Sequence, residues 1–205
     1  GMADRVRHES VGDEIHLRGL LEISSHCVRR CAYCGISAEN RGARRFRMTA
    51  GEILAAAREA RGFGYGTIVM QGGEDYGIKA DWMADIVRAI KNEIGVAVTL
   101  SLGERKDEEL RLWRQAGADR YLLRFETSDP ALYSLIHPAL PGGFLDRISQ
   151  IRRLQDIGYE AGSGVMVGIP GQSWDSLAND ILTFADLDLD MIGVGPYIPH
   201  PDTPM

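Results

Sequence analysis

The sequence predicts an α/β fold: a partial parallel (β/α) barrel of the TIM type, with six strands, open as written. Three observations lead there. Six short apolar runs alternate with segments of helical period, at roughly 25 to 35 residues per repeat, which favours a parallel barrel over sandwiches and bundles. The runs are apolar or β-branched on both faces, as buried parallel strands are. No glycine fingerprint of the dinucleotide-binding type follows the first run, which counts against a doubly wound open sheet.

Each element has its own signature. Residues 1–19 read as a polar, mixed-charge leader and residues 20–205 as the barrel core. The runs start at Leu20, Thr67, Ala97, Arg120, Gly164 and Met191. After the first, Thr49 and Glu52 form a capping box, Ile53, Leu54 and Ala57 give a buried stripe, and Gly62 stops the helix. Asp81 opens a second helix with Met83, Ile86, Val87 and Ile90 on one face. Asp107 opens a third, with Leu110 and Trp113 inward and Gly117 at its end. A short extra helix runs from Pro130 to Ile136. Phe144, Ile148, Ile151 and Leu154 line the next, closed by Gly158, and Ser173 caps the last, with Leu177 and Ile181 inward.

Composition narrows the function classes. The 205 residues are 44% hydrophobic and 25% charged, an ordinary globular balance that argues against disorder. A net charge of −6 has the wrong sign for neutralising phosphates, so nucleic acid is not an expected partner. No run approaches the roughly 18 apolar residues of a spanning helix, so no membrane is expected and the location reads as cytoplasmic.

The cysteines say most. Only three occur, Cys27, Cys31 and Cys34, all on the loop after the first strand. An odd, tight set is no disulfide framework, and thiolates this close repel unless a cation lies between them. Three thiolates suffice for three irons of a 4Fe-4S cube whose fourth iron stays open to a ligand. The alternative is zinc with a fourth ligand such as His26, at a spacing unlike that of the usual zinc modules. Barrel chemistry belongs at the C-terminal strand ends. The other loops there carry Gln71-Gly72-Gly73-Glu74-Asp75, then Ser101 and Glu104, then Arg124 and Glu126. Gly72 and Gly73 let backbone approach a ligand, and Glu74 offers a carboxylate to an ammonium.

This Cys-x3-Cys-x2-Cys loop, with Tyr33 before its last cysteine and a Gly-Gly-Glu turn one βα unit later, resembles the radical S-adenosylmethionine superfamily. Within it, the segments Arg47-Met48-Thr49, Val98 to Glu104, Ala116 to Arg124, Met166 to Gln172 and Ile198 to Pro204 are similar to the iron-only hydrogenase maturases of the HydE type, in the biotin synthase-like group, truncated after the sixth strand. The resemblance implies a 4Fe-4S cluster on Cys27, Cys31 and Cys34. It implies S-adenosylmethionine held by the backbone of Tyr33, by Gly72, Gly73 and Glu74, by Ser101 and Glu126, and by Arg147 at the carboxylate. Gln71, Arg124 and Met191, at the ends of strands two, four and six, would line a substrate cavity.

The implied activity is reductive cleavage of S-adenosylmethionine to a 5′-deoxyadenosyl radical for hydrogenase diiron-site maturation. The implied partners are a small-molecule or small iron-complex substrate, an electron donor such as a ferredoxin or flavodoxin, and other hydrogenase maturation proteins. Methylornithine synthase and biotin synthase share the barrel and the cysteine loop, although biotin synthase carries further barrel cysteines. A non-catalytic zinc or iron-sulfur module is the alternative outside enzymes. Phe125 stands where the family usually has histidine, removing a polar group near the site. His137 and His200 read as loop residues, with His200 the better functional candidate. An unpaired sixth strand implies poor solubility, dimerisation or a disordered terminus.

Overall fold

The computed structural model describes residues 1–140 and 146–205. The expected helix residue Phe144 lies outside them. Six strands, β1 (Gly19–Ser24), β2 (Thr67–Gly72), β3 (Ala97–Ser101), β4 (Arg120–Leu122), β5 (Glu160–Val167) and β6 (Met191–Pro196), form one sheet in sequence order. Every neighbouring pair is parallel. Helices α1 (Met2–Val11), α2 (Ala50–Gly62), α3 (Ala80–Ala89), α4 (Asp107–Gln115), α5 (Pro130–Ile136), α6 (Arg147–Ile157) and α7 (Trp174–Leu187) accompany it. The open (β/α) arc expected from the sequence is what the chain forms.

Alternation along the strands divides their side chains between two faces. One set, with Ile23, Ile68, Met70, Val98, Leu100 and Tyr121, meets Ile53, Ala57, Met83, Val87, Trp113, Ile151 and Leu154 in a single apolar cluster. Each such side chain stabilises the fold by roughly 1.5–3 kcal/mol. The other set faces the hollow of the arc, where the register aligns Glu22 with Gln71 and Gln71 with Ser101. Position along a strand therefore fixes whether a residue builds the core or the site.

Local chemistry explains the helices. Thr49 and Glu52 form the capping box that the sequence calls for. Asp129 caps α5 ahead of Pro130, Asp146 caps α6, and Ser173 caps α7. Gly158 ends α6 in a left-handed conformation (φ 96°). The helix begun by α3 widens into a π turn at Ile90–Ile94.

Three sequence expectations need correction. The leader carries α1, which buries no residue and ends where Asp13 accepts from Arg7 (2.7 Å) and contacts His8 (3.0 Å). Strand β5 begins at Glu160 rather than Gly164, because Gly162 and Gly164 let Leu122, Met191 and the Gly193 backbone close in. On α7, Ile181 is 66% exposed and the buried stripe is Ser176, Asp180, Phe184 and Leu187. The helical period was right and its phase wrong: Phe184 packs on Phe125, with ring centroids 5.3 Å apart, and Asp180 accepts from the Ser128 N–H (2.5 Å) and hydroxyl (2.7 Å). Among the described residues, no helix is long and apolar enough to cross a membrane.

Candidate functional site

At the C-terminal ends of β1 to β4 lies a cavity of about 260 Å³. Its wall includes Cys27, Cys31, Cys34, Tyr33, Gln71, Gly72, Gly73, Glu74, Ser101, Arg124, Glu126 and Arg147. Residues separated by more than a hundred positions thus share one surface.

The cysteine loop is held by backbone ties and by one arginine. The Val28 N–H donates to the Glu74 carbonyl (3.0 Å) and the Ala32 N–H to the Ile136 carbonyl (2.8 Å). Arg45 donates to the carbonyls of Ser25 (2.6 Å), Ile36 (2.8 Å), Ser37 (2.6 Å) and Asn40 (3.2 Å). All three thiols are free of disulfides. Burial pushes the Cys31 thiol up to about 12, against the pull of Arg147 and with the help of Cys34 and Cys27. The Cys34 thiol is raised as well, chiefly by burial. Thiols so disposed ionise when a cation stabilises the thiolate.

The Gly-Gly-Glu turn lies against this loop. A Cβ on Gly73 would collide with the His26 carbonyl and the Cys27 Cβ, so only glycine fits there. The Glu74 N–H points at the Cys27 sulfur, 3.4 Å away. The Glu74 side chain departs from expectation. Its carboxylate is buried and accepts from the Tyr76 hydroxyl (2.9 Å) and the Glu104 N–H (3.1 Å), with Arg29 3.5 Å away. In this structure the Glu74 carboxylate serves as an internal tie.

Glu126 lies just past β4 with φ 63°, the left-handed region that non-glycine residues avoid. Its N–H donates to the Gly164 carbonyl (3.0 Å) and its carbonyl accepts from the Met166 N–H (3.1 Å), which locks this geometry onto β5. Arg124 Nε donates to both Glu126 carboxylate oxygens at 3.1 Å, and the Tyr33 hydroxyl lies 3.4 Å from one of them. Burial, and then the charge of Glu126, raise the Tyr33 phenol well above its ordinary value.

At the cavity wall lies a group of buried charges in which Arg147 and Glu104, both named from the sequence, are joined by Arg29 and His137, whose part sequence reasoning missed. Arg147 Nε donates to Glu104 (3.1 Å), one η nitrogen donates to the Arg124 carbonyl (2.6 Å), and the other lies 2.7 Å from His137 Nε2. Arg29 donates to the same Glu104 oxygen and lies 3.4 Å from His137 Nδ1. His137 is therefore no surface loop residue. It is 2% exposed, and burial, followed by the charges of Arg147 and Arg29, pushes its imidazole down to about 2. A charged residue inside so tight a cysteine spacing, as Arg29 is, was the available signal.

Met191 and Phe125 resolve differently from expectation, whereas His200 lies on a loop as expected. Met191 opens β6, at the end of that strand away from the cysteines, where its sulfur meets Arg18 (3.1 Å); it does not border the cavity. Phe125 packs in the core and likewise does not border the cavity, so the loss of a histidine there changes packing rather than lining. The His200 ring lies on Gly35, next to Cys34, with Nδ1 accepting from the Asp202 N–H (3.1 Å).

The donor set suits an iron-sulfur cube. Three thiols border one cavity, and a backbone N–H already faces a sulfur. Among the described residues no three His, Cys, Asp or Glu side chains converge on a single point, as a preformed structural zinc set does. A cube takes one thiolate per iron and so accepts a more spread triplet.

Sequence comparison defines the class. Residues 21–184 match the Radical SAM superfamily, and the chain belongs to it; members of that superfamily bind a 4Fe-4S cluster and S-adenosylmethionine. More particularly, the chain is 48% identical over 204 residues to the [FeFe] hydrogenase maturase subunit HydE of Thermotoga maritima, covering all of this chain and 58% of that protein. It is 27% identical over 206 residues to 3-methylornithine synthase of Methanosarcina acetivorans, covering 100% of this chain and 58% of that one. It is also similar to biotin synthase of Picosynechococcus, at 28% identity over 214 residues, covering 99% and 57%. The crystal structure of methylornithine synthase superposes with a TM-score of 0.91 at 26% identity, over 98% of this chain and 59% of that one. The chain thus spans a little under three fifths of the length of these relatives.

Proposed function

We propose that this chain is the core of a radical S-adenosylmethionine enzyme acting in the maturation of an [FeFe] hydrogenase. The observation that carries this reading is the meeting of Cys27, Cys31 and Cys34 with Gly73, Glu126 and Arg147 around one cavity, in a chain 48% identical to HydE. The three thiolates would hold three irons of a 4Fe-4S cluster, which when bound supplies the electron that splits the sulfonium carbon–sulfur bond of S-adenosylmethionine into methionine and a 5′-deoxyadenosyl radical.

The protein's own part is placement and exclusion. Gly73 brings backbone against the ligand. Arg147 presents a fixed guanidinium to the nucleotide's carboxylate, for which a planar fork is suited. Burial opposes its charge, but Tyr133, Tyr33 and Glu104 keep it firmly protonated. Glu126, braced by Arg124, offers a carboxylate towards the nucleoside, and the row from Glu22 through Gln71 to Ser101 gives the hollow polar groups with which to orient a small substrate. An electron donor of the ferredoxin or flavodoxin kind and companion maturation proteins complete the scheme.

The superposition on methylornithine synthase favours a second reading, in which the same core makes an amino acid of the methylornithine kind. Anaerobic incubation of the iron- and sulfide-loaded chain with dithionite and S-adenosylmethionine tests what both readings share. Methionine and 5′-deoxyadenosine should form in equal amounts; binding without either product would contradict both readings. Inhibition by 3-methylornithine, but not by small iron complexes, would favour the second.

A further inference from the structure

We propose that His137 is a positioning residue for Arg147, acting together with Glu104 to present that guanidinium to a ligand carboxylate. The inference rests on the functional reading above, in which Arg147 meets the carboxylate of S-adenosylmethionine. It starts from a closed ring of contacts. Arg147 and Arg29 share one oxygen of Glu104, and the two nitrogens of His137 face the same two guanidinia, at 2.7 Å and 3.4 Å.

Arginine has five N–H donors in one plane. Glu104, the Arg124 carbonyl and His137 engage three of them, from three different elements of the chain, and this fixes the plane of the fork. Two N–H groups are left on a side chain that borders the cavity. The 2.7 Å contact requires Nε2 to be the acceptor, which places the imidazole proton on Nδ1; the 3.4 Å approach of Arg29 is then a contact without a hydrogen bond, and Arg29 is joined to Arg147 through Glu104.

The choice of histidine has a physical reason. A carboxylate at this position would also accept from Arg147, but it would cancel the guanidinium charge and compete with an incoming carboxylate. A buried, neutral imidazole aligns the fork and leaves its charge intact. Glu104, whose single negative charge is divided between two guanidinia, satisfies the same requirement. Because Arg29 belongs to the cysteine loop, the ring also ties the fork to the segment that carries Cys27 and Cys31.

The test compares two ligands with the cluster-loaded chain: S-adenosylmethionine and its decarboxylated analogue, which lacks only the carboxylate. Their dissociation constants are measured for the unsubstituted chain and for His137→Phe and His137→Gln. The phenyl ring keeps the bulk of His137 and removes the acceptor, whereas the glutamine Oε1 reaches towards the place of Nε2. We expect His137→Phe to bind S-adenosylmethionine about tenfold more weakly while its affinity for the analogue stays unchanged, and His137→Gln to recover most of the difference.

Equal weakening for both ligands would mean that His137 only supports the fold, and no weakening would mean that it does not position Arg147; either overturns the proposal. If the phenyl ring is not accommodated, the same comparison is made with His137→Leu and judged by the same ratio. Failure of the unsubstituted chain to bind S-adenosylmethionine would overturn the functional reading, and this inference with it.

Discussion

The layer between sheet and helices and the rim at the C-terminal strand ends are both buried, but they are built from opposite materials. The layer is apolar: Ile68, Met70, Leu100 and Trp113 are fully covered, and the one polar hydrogen of the indole donates to the Ala80 carbonyl (2.9 Å). The rim buries Arg29, Glu74, Glu104 and His137 and leaves Arg147 only one tenth exposed. Apolar burial stabilises without direction, whereas buried charges are stabilising only when geometry pairs them. The rim contains both outcomes. Asp75 is a closed tie, accepting from Ser24 (2.7 Å), from two nitrogens of Arg47 (2.8 and 2.9 Å) and from the Gly77 N–H (2.8 Å). Arg147, by contrast, keeps donors to spare beside a cavity. A fully paired buried charge has nothing left to give a ligand, whereas one with donors to spare beside a cavity can still take one.

Substitutions should separate the two regions, and the largest effect is expected at the cysteines. Cys34→Ala should abolish assembly of a 4Fe-4S cluster, read as iron and sulfide per chain, while the melting temperature of the metal-free chain moves little. In the apolar layer, Trp113→Ala should cost about 3–5 kcal/mol in denaturant unfolding, since it empties a large covered site and removes the indole bond to the Ala80 carbonyl. Cluster content in the fraction that stays folded should be unaltered. At the closed tie, Asp75→Asn should cost about 2–3 kcal/mol, because it leaves Arg47 without its charge partner. The tie has a pH signature as well. Burial works against ionisation of Asp75, but Arg47, Ser24 and the Gly77 N–H outweigh it and hold the carboxyl at about 2, so its contribution is present above the ordinary aspartate range and lost as pH falls towards 2.

The pH dependence of stability separates the two regions at His137 as well. Its imidazole is held at about 2, against about 6.5 in an unfolded chain. Between those values the unfolded chain binds a proton that the folded chain refuses, so stability rises with pH across the window and is fully present above pH 6.5. The slope should approach about 1.4 kcal/mol per pH unit from this group alone. His137→Gln should flatten that slope when unfolding is followed at pH 4 to 7; an unchanged slope would place the imidazole in water.

Much of this was legible in the sequence because it is local. Capping residues, helical period, short apolar strands and a tight cysteine triplet are written within a few positions of one another, and residues at C-terminal strand ends share a rim in any parallel arc. What stayed hidden was set at long range. Glu74 reads as a ligand group beside two glycines, yet Arg29, Tyr76 and the Glu104 N–H claim its carboxylate. His137 follows an ordinary helix end, and only the approach of two arginines from elsewhere makes it a buried neutral acceptor. The pattern of α7 fixes its period but not its rotation, which Asp180 and Phe184 decide through contacts with the segment after β4. The resemblance puts Met191 at a strand end, although the sixth apolar run starts there, and it opens β6 opposite Gly162 of β5.

The most direct test of the central claim, that the cysteine loop and the rim form one cofactor site, is electron paramagnetic resonance of the anaerobically reconstituted, dithionite-reduced chain, with and without S-adenosylmethionine. A reduced 4Fe-4S signal that changes when the nucleotide is added is the result expected. A cluster signal indifferent to the nucleotide, or tight zinc uptake with no cluster signal, would contradict it.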